Sequence, residues 1–359
     1  MSMLRALVVV CICGFLLCLP GVPQTPKTPP QQPQTDQPEH RIQVQVNEVI
    51  VPVTVTDDKG RFVSNLVAED FRVLDEGKPQ RIRFFSHEQK QPIVVGFLVD
   101  LSNNSRIHWK TYQDAMLELV WNLLPGDKRY SGYLISYSND AELVVNTTTD
   151  SEKLAAKIRL MKPGGGAALY DAIYKACTDR SLITGEPYEP RRIIIVMGDG
   201  HDSASKKTLE EVLELAQRNL VTIYAVSTMA FGFANEDQST MERLTTETGG
   251  HVEYPLNTLY KDVSGYLSNP QDAGNYALTV GTGGYAAEIS RGIINAVAGV
   301  SGEITTQYVL RYIPDVEPED RPKLFRRIKV ELPNLPAAKV RARIGYFPNG
   351  PQSGAPSGQ

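Results

Sequence analysis

The sequence predicts an α/β fold, doubly wound with a mainly parallel central sheet and inserted in a smaller β-sandwich-like module. Three observations carry this. Two continuous apolar runs, at 93–99 and 193–197, each break abruptly into acid-bearing polar turns, as buried strands of a parallel sheet do. Around them, apolar positions recur every three or four residues over segments of helical length, so strand and helix patterns alternate. On either side, in residues 41–90 and 305–348, the period drops to two.

Taken in order, residues 1–20 read as a signal peptide. Arg5 precedes an apolar run at 6–19, too short for a comfortable membrane span and suited to the core of a secretory signal. No small-x-small cleavage site follows it, and Leu16-Leu17 before Cys18 make a poor lipobox, so cleavage, an uncleaved anchor and lipidation of Cys18 stay open. A secreted or periplasmic location, with or without a membrane anchor, is expected. Three of the four cysteines lie in this signal, so Cys177 stands alone in the body and no internal disulfide is available. Residues 21–40, a Pro/Gln/Thr tract, have little to bury and read as an extended linker.

From 41 to 90, alternating valines, a DDKG turn at 57–60 and a second turn at 76–79 describe an antiparallel unit of about fifty residues, marginal on its own. The α/β domain, 91–304, follows. Its helices are expected near 106–124, 151–160, 169–179, 208–218, 240–248 and 288–300, and its strands near 93–100, 130–138, 193–197 and 221–226. Thr208 and Glu211 form a capping box. Period-two strands at 308–312, 325–332 and 340–347 then supply the partner the first unit lacks, so 41–90 and 305–348 are expected to pack as one module. Residues 349–359 read as a frayed tail. The stretch 255–287, rich in Tyr, Gly, Asn and Thr, is a long loop that is functional, mobile or folded over its own sheet.

The net charge of -4 and the scattered basic residues exclude a nucleic-acid footprint. Arg326, Arg327 and Lys329 alternate like the solvated side of a strand. The glycines at 164–166 lack the Lys-Ser/Thr of a phosphate-binding loop, and no Ser-His-Asp order, HExxH or CxxC motif appears, so the chain is not expected to be an enzyme. Ligands of open α/β sheets sit beyond the carboxyl ends of the strands. Asp100, Ser102, Asn104, the 164–168 loop and Asp199 therefore fall around one point, with oxygen donors suited to a hard divalent cation.

These segments resemble a known family. VDLSNNS at 99–105 is similar to the D-x-S-x-S loop of a von Willebrand factor type A (VWFA) domain. GGGAALYDAIY at 164–174 resembles its third loop segment, and IIIVMGDG at 193–200 the strand and turn that bring its last acid. The order of motifs on both sides resembles the exported VWFA-related proteins of acidobacterial type. The resemblance implies a Rossmann-like fold and a metal-ion-dependent adhesion site (MIDAS), where a divalent cation accepts a carboxylate from a protein partner. By position it makes Asp100, Ser102, Asn104 and Asp199 the ligands of Mg²⁺ or another divalent cation. It places Ser105, Gly165, Gly166, Ala167, His201 and Asp202 on the partner-binding face. Asn104 stands where a second Ser belongs, and Ala167, which has no side-chain oxygen, where a Thr belongs; Asp171 is the nearest other acid, and the helix macrodipole accounts for its place. His201 and Asp202 also read as a solvated turn. Two functions follow: binding of a protein or cell-surface partner through a degenerate metal site, or a metal-free scaffold making contacts through β edges and the 255–287 loop.

Overall fold

In the computed structural model a six-stranded sheet forms the centre of the α/β domain. The structure describes residues 48–87, 92–106, 109–182, 190–228, 236–255, 283–314 and 325–348. The signal, the linker, residues 256–282 of the long loop and the C-terminal tail lie outside them. Residues Val46–Gln359 form one compact unit.

The strands of the central sheet are β5 (Ile93–Asp100), β6 (Tyr130–Tyr137), β7 (Ala141–Thr148), β8 (Arg191–Gly198), β9 (Thr222–Ser227) and β10 (Val252–Glu253). Their spatial order is β10-β9-β8-β5-β6-β7, parallel throughout except for β7. Every residue of β5 is buried, because helices cover both faces. Ile93, Val95, Phe97 and Val99 point to one core, shared with α1 (Trp109–Leu123), α2 (Ser151–Ile158) and α6 (Gly283–Thr306). Val94 and Leu98 point to the other, against α3 (Leu169–Thr178), α4 (Leu209–Arg218) and α5 (Glu236–Thr246). Gly96 interrupts this second row because the Tyr133 ring occupies the space of a Cβ.

Thr208 caps α4 reciprocally with Glu211. β7 was not anticipated. It is an antiparallel edge whose side chains are all partly exposed or exposed, so neither a clean period of two nor an apolar run marks it. Cys177 is 4 % exposed, and burial pushes its thiol up to about 11. The thiolate is the reactive form. Ellman's reagent at pH 8 is therefore expected to find no reactive Cys177 in the folded protein and to label it on denaturation; fast native labelling would contradict the packing.

The flanking segments form two antiparallel four-stranded sheets. One has the order β13-β1-β11-β4 and the other β14-β12-β2-β3. Their strands are β1 (Val49–Thr56), β2 (Arg72–Asp75), β3 (Lys78–Gln80), β4 (Phe84–Ser86), β11 (Tyr308–Tyr312), β12 (Arg326–Glu331), β13 (Lys339–Ala342) and β14 (Gly345–Tyr346). Each sheet takes strands from both ends of the chain: β1 pairs with β11 and β13, and β2 with β12. Val51, Val53, Val73, Leu310 and Tyr312 fill the core of this module. Pro52 is tolerated in β1 because the β13 ladder starts only at Val53, leaving one edge free there.

Inside this core Asp75 is fully buried. It accepts from the hydroxyls of Tyr312 (2.9 Å) and Tyr346 (2.8 Å) and from Arg326 Nε (2.9 Å). Arg326 therefore departs from the solvated face expected of it, while Arg327 and Lys329 stay exposed. A buried carboxylate needs such partners, and the alternation alone does not show which arginine supplies them.

Candidate functional site

The site lies at the carboxyl end of the sheet, where β5 and β8 run side by side. Chain direction reverses there: β5 leads outward to β6 and β7, and the chain then returns to lay β8 on the other side of β5. Such a switch point leaves a crevice between the two strand ends. Asp100 ends β5 and Asp199 follows β8 directly, so the crevice carries both acids.

Backbone hydrogen bonds lace the surrounding loops. Gly164 N donates to Leu101 O at 2.6 Å, and Asn103 N to Gly165 O at 3.1 Å. Gly165 has φ 112°, open to glycine at little cost, which brings the next amide, Gly166 N, to Asn139 Oδ1 at 2.7 Å. Asn139, on the β6–β7 turn, is a loop-holding residue that its local sequence does not flag. Ser203 Oγ accepts from Ala167 N at 3.2 Å, Asp202 from Tyr170 N at 3.0 Å and Ser205 Oγ from Asp171 N at 3.0 Å. Asp171 in turn accepts from the amides of Lys206 and Lys207. Asp202 and Asp171 thus stitch the 199–208 loop to the first turn of α3, a role beyond a solvated turn or a macrodipole charge.

At the centre, Asp100 is 1 % exposed. Its Oδ1 accepts from Ser102 N at 2.7 Å, while Oδ2, buried, has no partner. The buried hydroxyls of Ser102 and Ser105 lie close enough to Asp100 to act on its charge but complete no hydrogen bond of good geometry. Burial pushes the Asp100 carboxyl up to about 6; the Ser102 amide opposes this, the charge of Asp199 reinforces it, and the Ser105 and Ser102 hydroxyls hold it back. Asp199 Oδ1 accepts from His201 N at 2.9 Å and Oδ2 from Asn104 Nδ2 at 3.0 Å. Gly198 packs where a Cβ would collide with the Tyr137 hydroxyl and lie 2.9 Å from Asp100 Cβ. That hydroxyl is buried and unpartnered as well, and the local sequence does not place it at the site.

Asp100, Ser102, Asn104 and Asp199 are therefore brought together. Ser105 and Ala167 are not surface residues: Ser105 is 3 % exposed with its hydroxyl turned to Asp100, and Ala167 is fully buried, so neither side chain meets a partner directly. Gly165, Gly166, His201 and Asp202 are partly exposed on the rim, with His201 Nδ1 3.2 Å from Asp237 Oδ1 at the start of α5. Among the described residues no group of three or more His, Cys, Asp or Glu side chains could hold a metal ion. The donors here are of another kind, two carboxylates and short hydroxyls. Three orphaned buried oxygens beside a second acid fit a hard cation that takes oxygen ligands and completes its shell with water.

Residues 95–260 match the family model of the von Willebrand factor type A domain. The fold is similar to the SpRpn10 VWA domain at 15% identity, covering 45% of this chain and 86% of that chain with a TM-score of 0.35. It is similar to proximal thread matrix protein 1 from the mussel byssus, a structure described as having a zinc-occupied MIDAS motif. The identity there is 14%, the coverage 47% of this chain and 42% of that one, and the TM-score 0.37. It is also similar to the conserved hypothetical protein BatB from Bacteroides thetaiotaomicron, at 16% identity over 49% of this chain and 97% of that one, with a TM-score of 0.37. No curated protein matches the chain. Residues 95–260, within the segment between the two halves of the β module, are a von Willebrand factor type A domain.

Proposed function

We propose that this chain is an exported, non-enzymatic binding protein. Its type A domain takes a divalent cation such as Mg²⁺ at the β5–β8 edge and, through it, an acidic group of a protein or cell-surface partner. Domains of this family generally mediate protein–protein interactions. The observation that carries the metal reading is the set of orphaned buried oxygens: Asp100 Oδ2, Ser102 Oγ and Ser105 Oγ. These residues would hold the cation with Asp199, whose carboxylate oxygens keep further lone pairs. When bound, the cation supplies a Lewis-acidic position for a partner's carboxylate. The surrounding chain supplies the frame: α3 and the 199–208 loop are locked together, and Asn103, Asn104 and Arg106 form the exposed rim. Arg106 Nη2 lies 3.5 Å from where a Cβ on Gly164 would be, and its charge complements an acidic partner. Export rests on the signal-like N-terminus; among the described residues no helix is long and apolar enough to cross a membrane.

One observation favours the metal-free scaffold as a second reading. The Asn104 amide already bridges to Asp199, which partly offsets the repulsion between two acids that a cation otherwise relieves. Titration calorimetry with Mg²⁺ and Mn²⁺ separates the two. The wild type is expected to give saturable heat, and Ser102→Ala to bind about tenfold more weakly, the equivalent of roughly 1.4 kcal/mol for one lost ligand. No heat from the wild type leaves the scaffold reading standing.

A further inference from the structure

The opposite end of the sheet carries a second site. A cavity of about 30 Å³ opens between the β module and the amino-terminal ends of β8 and β9, lined by Ile50, Pro52, Arg191, Arg192, Leu220 and Arg343 among others. β8 is 8 residues long, so Arg191 at this cavity lies roughly 26 Å along the strand from Asp199 at ~3.3 Å per residue. It is separate from the cation edge.

Its lining holds three arginines and no acid, although the charge of Glu303 reaches Arg191. Arg343, just after β13, is 2 % exposed; Nη2 donates to Leu220 O at 3.0 Å, but Nε and Nη1 are buried with no partner. Arg191, the first residue of β8, donates from Nη1 to Ile304 O at 3.3 Å and from Nη2 to Gln307 Oε1, while its buried Nε has no partner. Arg192 is likewise engaged at both ends of its fork, by Asn219 Oδ1 and the carbonyls of Ala176 and Cys177, and alone of the three arginines here has no buried nitrogen without a partner. Burial lowers the Arg343 guanidinium to about 10, the Tyr312 phenol opposing and the charge of Arg191 adding to the shift. At neutral pH it remains a cation facing another cation.

Two buried like charges repel strongly, and burying Arg343 with no acid beside it is costly; Glu303, whose charge reaches Arg191, is already paired with Arg341 and His251. Neutral carbonyls satisfy individual N–H groups but do not cancel the charge. Water has the same shortcoming, although a cavity of this size exceeds the roughly 10–15 Å³ that one water needs. From the three unpartnered guanidinium N–H groups around this cavity, we infer that it is a binding site for a small inorganic anion, of the class of chloride or phosphate. The anion bridges Arg191 of the type A domain to Arg343 of the β module. The volume excludes a nucleotide-sized ligand. The site's place between the two modules makes the anion part of what joins them.

The test uses the full chain at constant ionic strength, with gluconate replaced stepwise by chloride, phosphate or sulfate. The melting temperature of the wild type is expected to rise saturably by a few degrees with at least one of these anions, and the ranking identifies which. Arg343→Met and Arg191→Met are expected to lose the saturable response, while Arg61→Gln on the surface keeps it. An equal response in all variants, or none in the wild type, overturns the inference; the latter is also the result expected if a carboxylate of the chain fills the cavity. Should the arginine variants fail to fold, wild-type crystals grown in bromide decide the matter. An anomalous peak between Arg191 and Arg343 supports the site, and its absence overturns it.

Discussion

Asp100→Asn is expected to melt several degrees higher than the wild type at pH 7.5 in EDTA, and to lose all response to Mg²⁺. In the absence of a cation, burial and then the charge of Asp199 raise the Asp100 carboxyl from 3.8 to about 6, with the Ser102 amide pulling the other way. The folded state therefore holds this proton more tightly than the unfolded chain. Its contribution is most favourable below about pH 4, declines between the two values, and is fully lost above about 6. That displacement corresponds to roughly 3 kcal/mol of destabilisation at neutral pH. Asn is neutral and keeps an oxygen to accept the Ser102 amide, so it removes this penalty. The advantage should shrink toward zero as the pH falls to 4, and saturating Mg²⁺ should reverse it by stabilising only the wild type. A variant less stable than the wild type at pH 7.5 in EDTA would show that Asp100 carries no such cost. Its outcome bears on the site's electrostatics separately from whether any partner binds.

Glu303→Ala should be among the most damaging substitutions, at roughly 3–5 kcal/mol, because it breaks a buried charge cluster from one side. Glu303, in α6, is fully buried; it accepts from Thr54 Oγ1 at 2.8 Å and Tyr224 OH at 3.2 Å. It also pairs with Arg341 Nη2 at 2.7 Å and His251 Nδ1 at 3.0 Å. Thr54 and Arg341 belong to the β module, Tyr224 and His251 to the type A domain, so one carboxylate ties the two. Urea unfolding measures the loss directly, and a change under 1 kcal/mol would contradict the assignment. Glu303→Gln keeps the acceptor and is expected to lose less.

The same cluster has a pH signature. Burial alone would lower the His251 imidazolium, but its hydrogen bond to Glu253 and its close pairing with the Glu303 charge outweigh it, and its pKa ends above 6.5. Burial would raise Glu303, yet His251, Arg341 and Thr54 bring it below 4.5. The histidine's contribution is complete below 6.5 and is lost as the pH climbs through its raised value. The glutamate's is complete above 4.5 and is lost as the pH falls through its lowered value. The junction is thus strongest between about pH 4.5 and 6.5, and Glu303→Ala should flatten both limbs.

Much of the architecture was legible because it depends on short-range pattern. The apolar runs at 93–99 in β5 and 193–197 in β8, each leading to an acid, can be satisfied only by a sheet covered on both faces, and the acids then emerge at one edge. The half-buried alternation in the terminal segments likewise required a partner, and β1 with β11 and β2 with β12 form such pairs. β7 carries no such pattern, because an edge strand partly exposed on both sides leaves no periodic signal. α6 begins five residues before its expected start, where glycines obscure the helical pattern.

Which oxygen faces which was another matter. Ser105 and Ser102 differ by three positions in one loop, and only the tight turn at 104–106 carries both hydroxyls under Asp100. From the sequence Asp171 reads as a helix-dipole charge and Asp202 as part of a solvated turn; only the fold of the 199–208 loop back onto α3 makes both of them stitches between the two.

The sequence by itself determined the alternation of buried strands and amphipathic helices, the acid-bearing edge and the need for the two ends of the chain to meet. The tertiary structure alone decided where charges lie relative to one another: the orphaned oxygens at Asp100, the carboxylate of Glu303 shared between modules, and the facing arginines 191 and 343. Hydrophobic patterning is additive along a strand or helix and so can be read locally. The energy of a buried charge depends on a few partners within a few ångströms, brought there from distant parts of the chain, and no local pattern encodes that meeting.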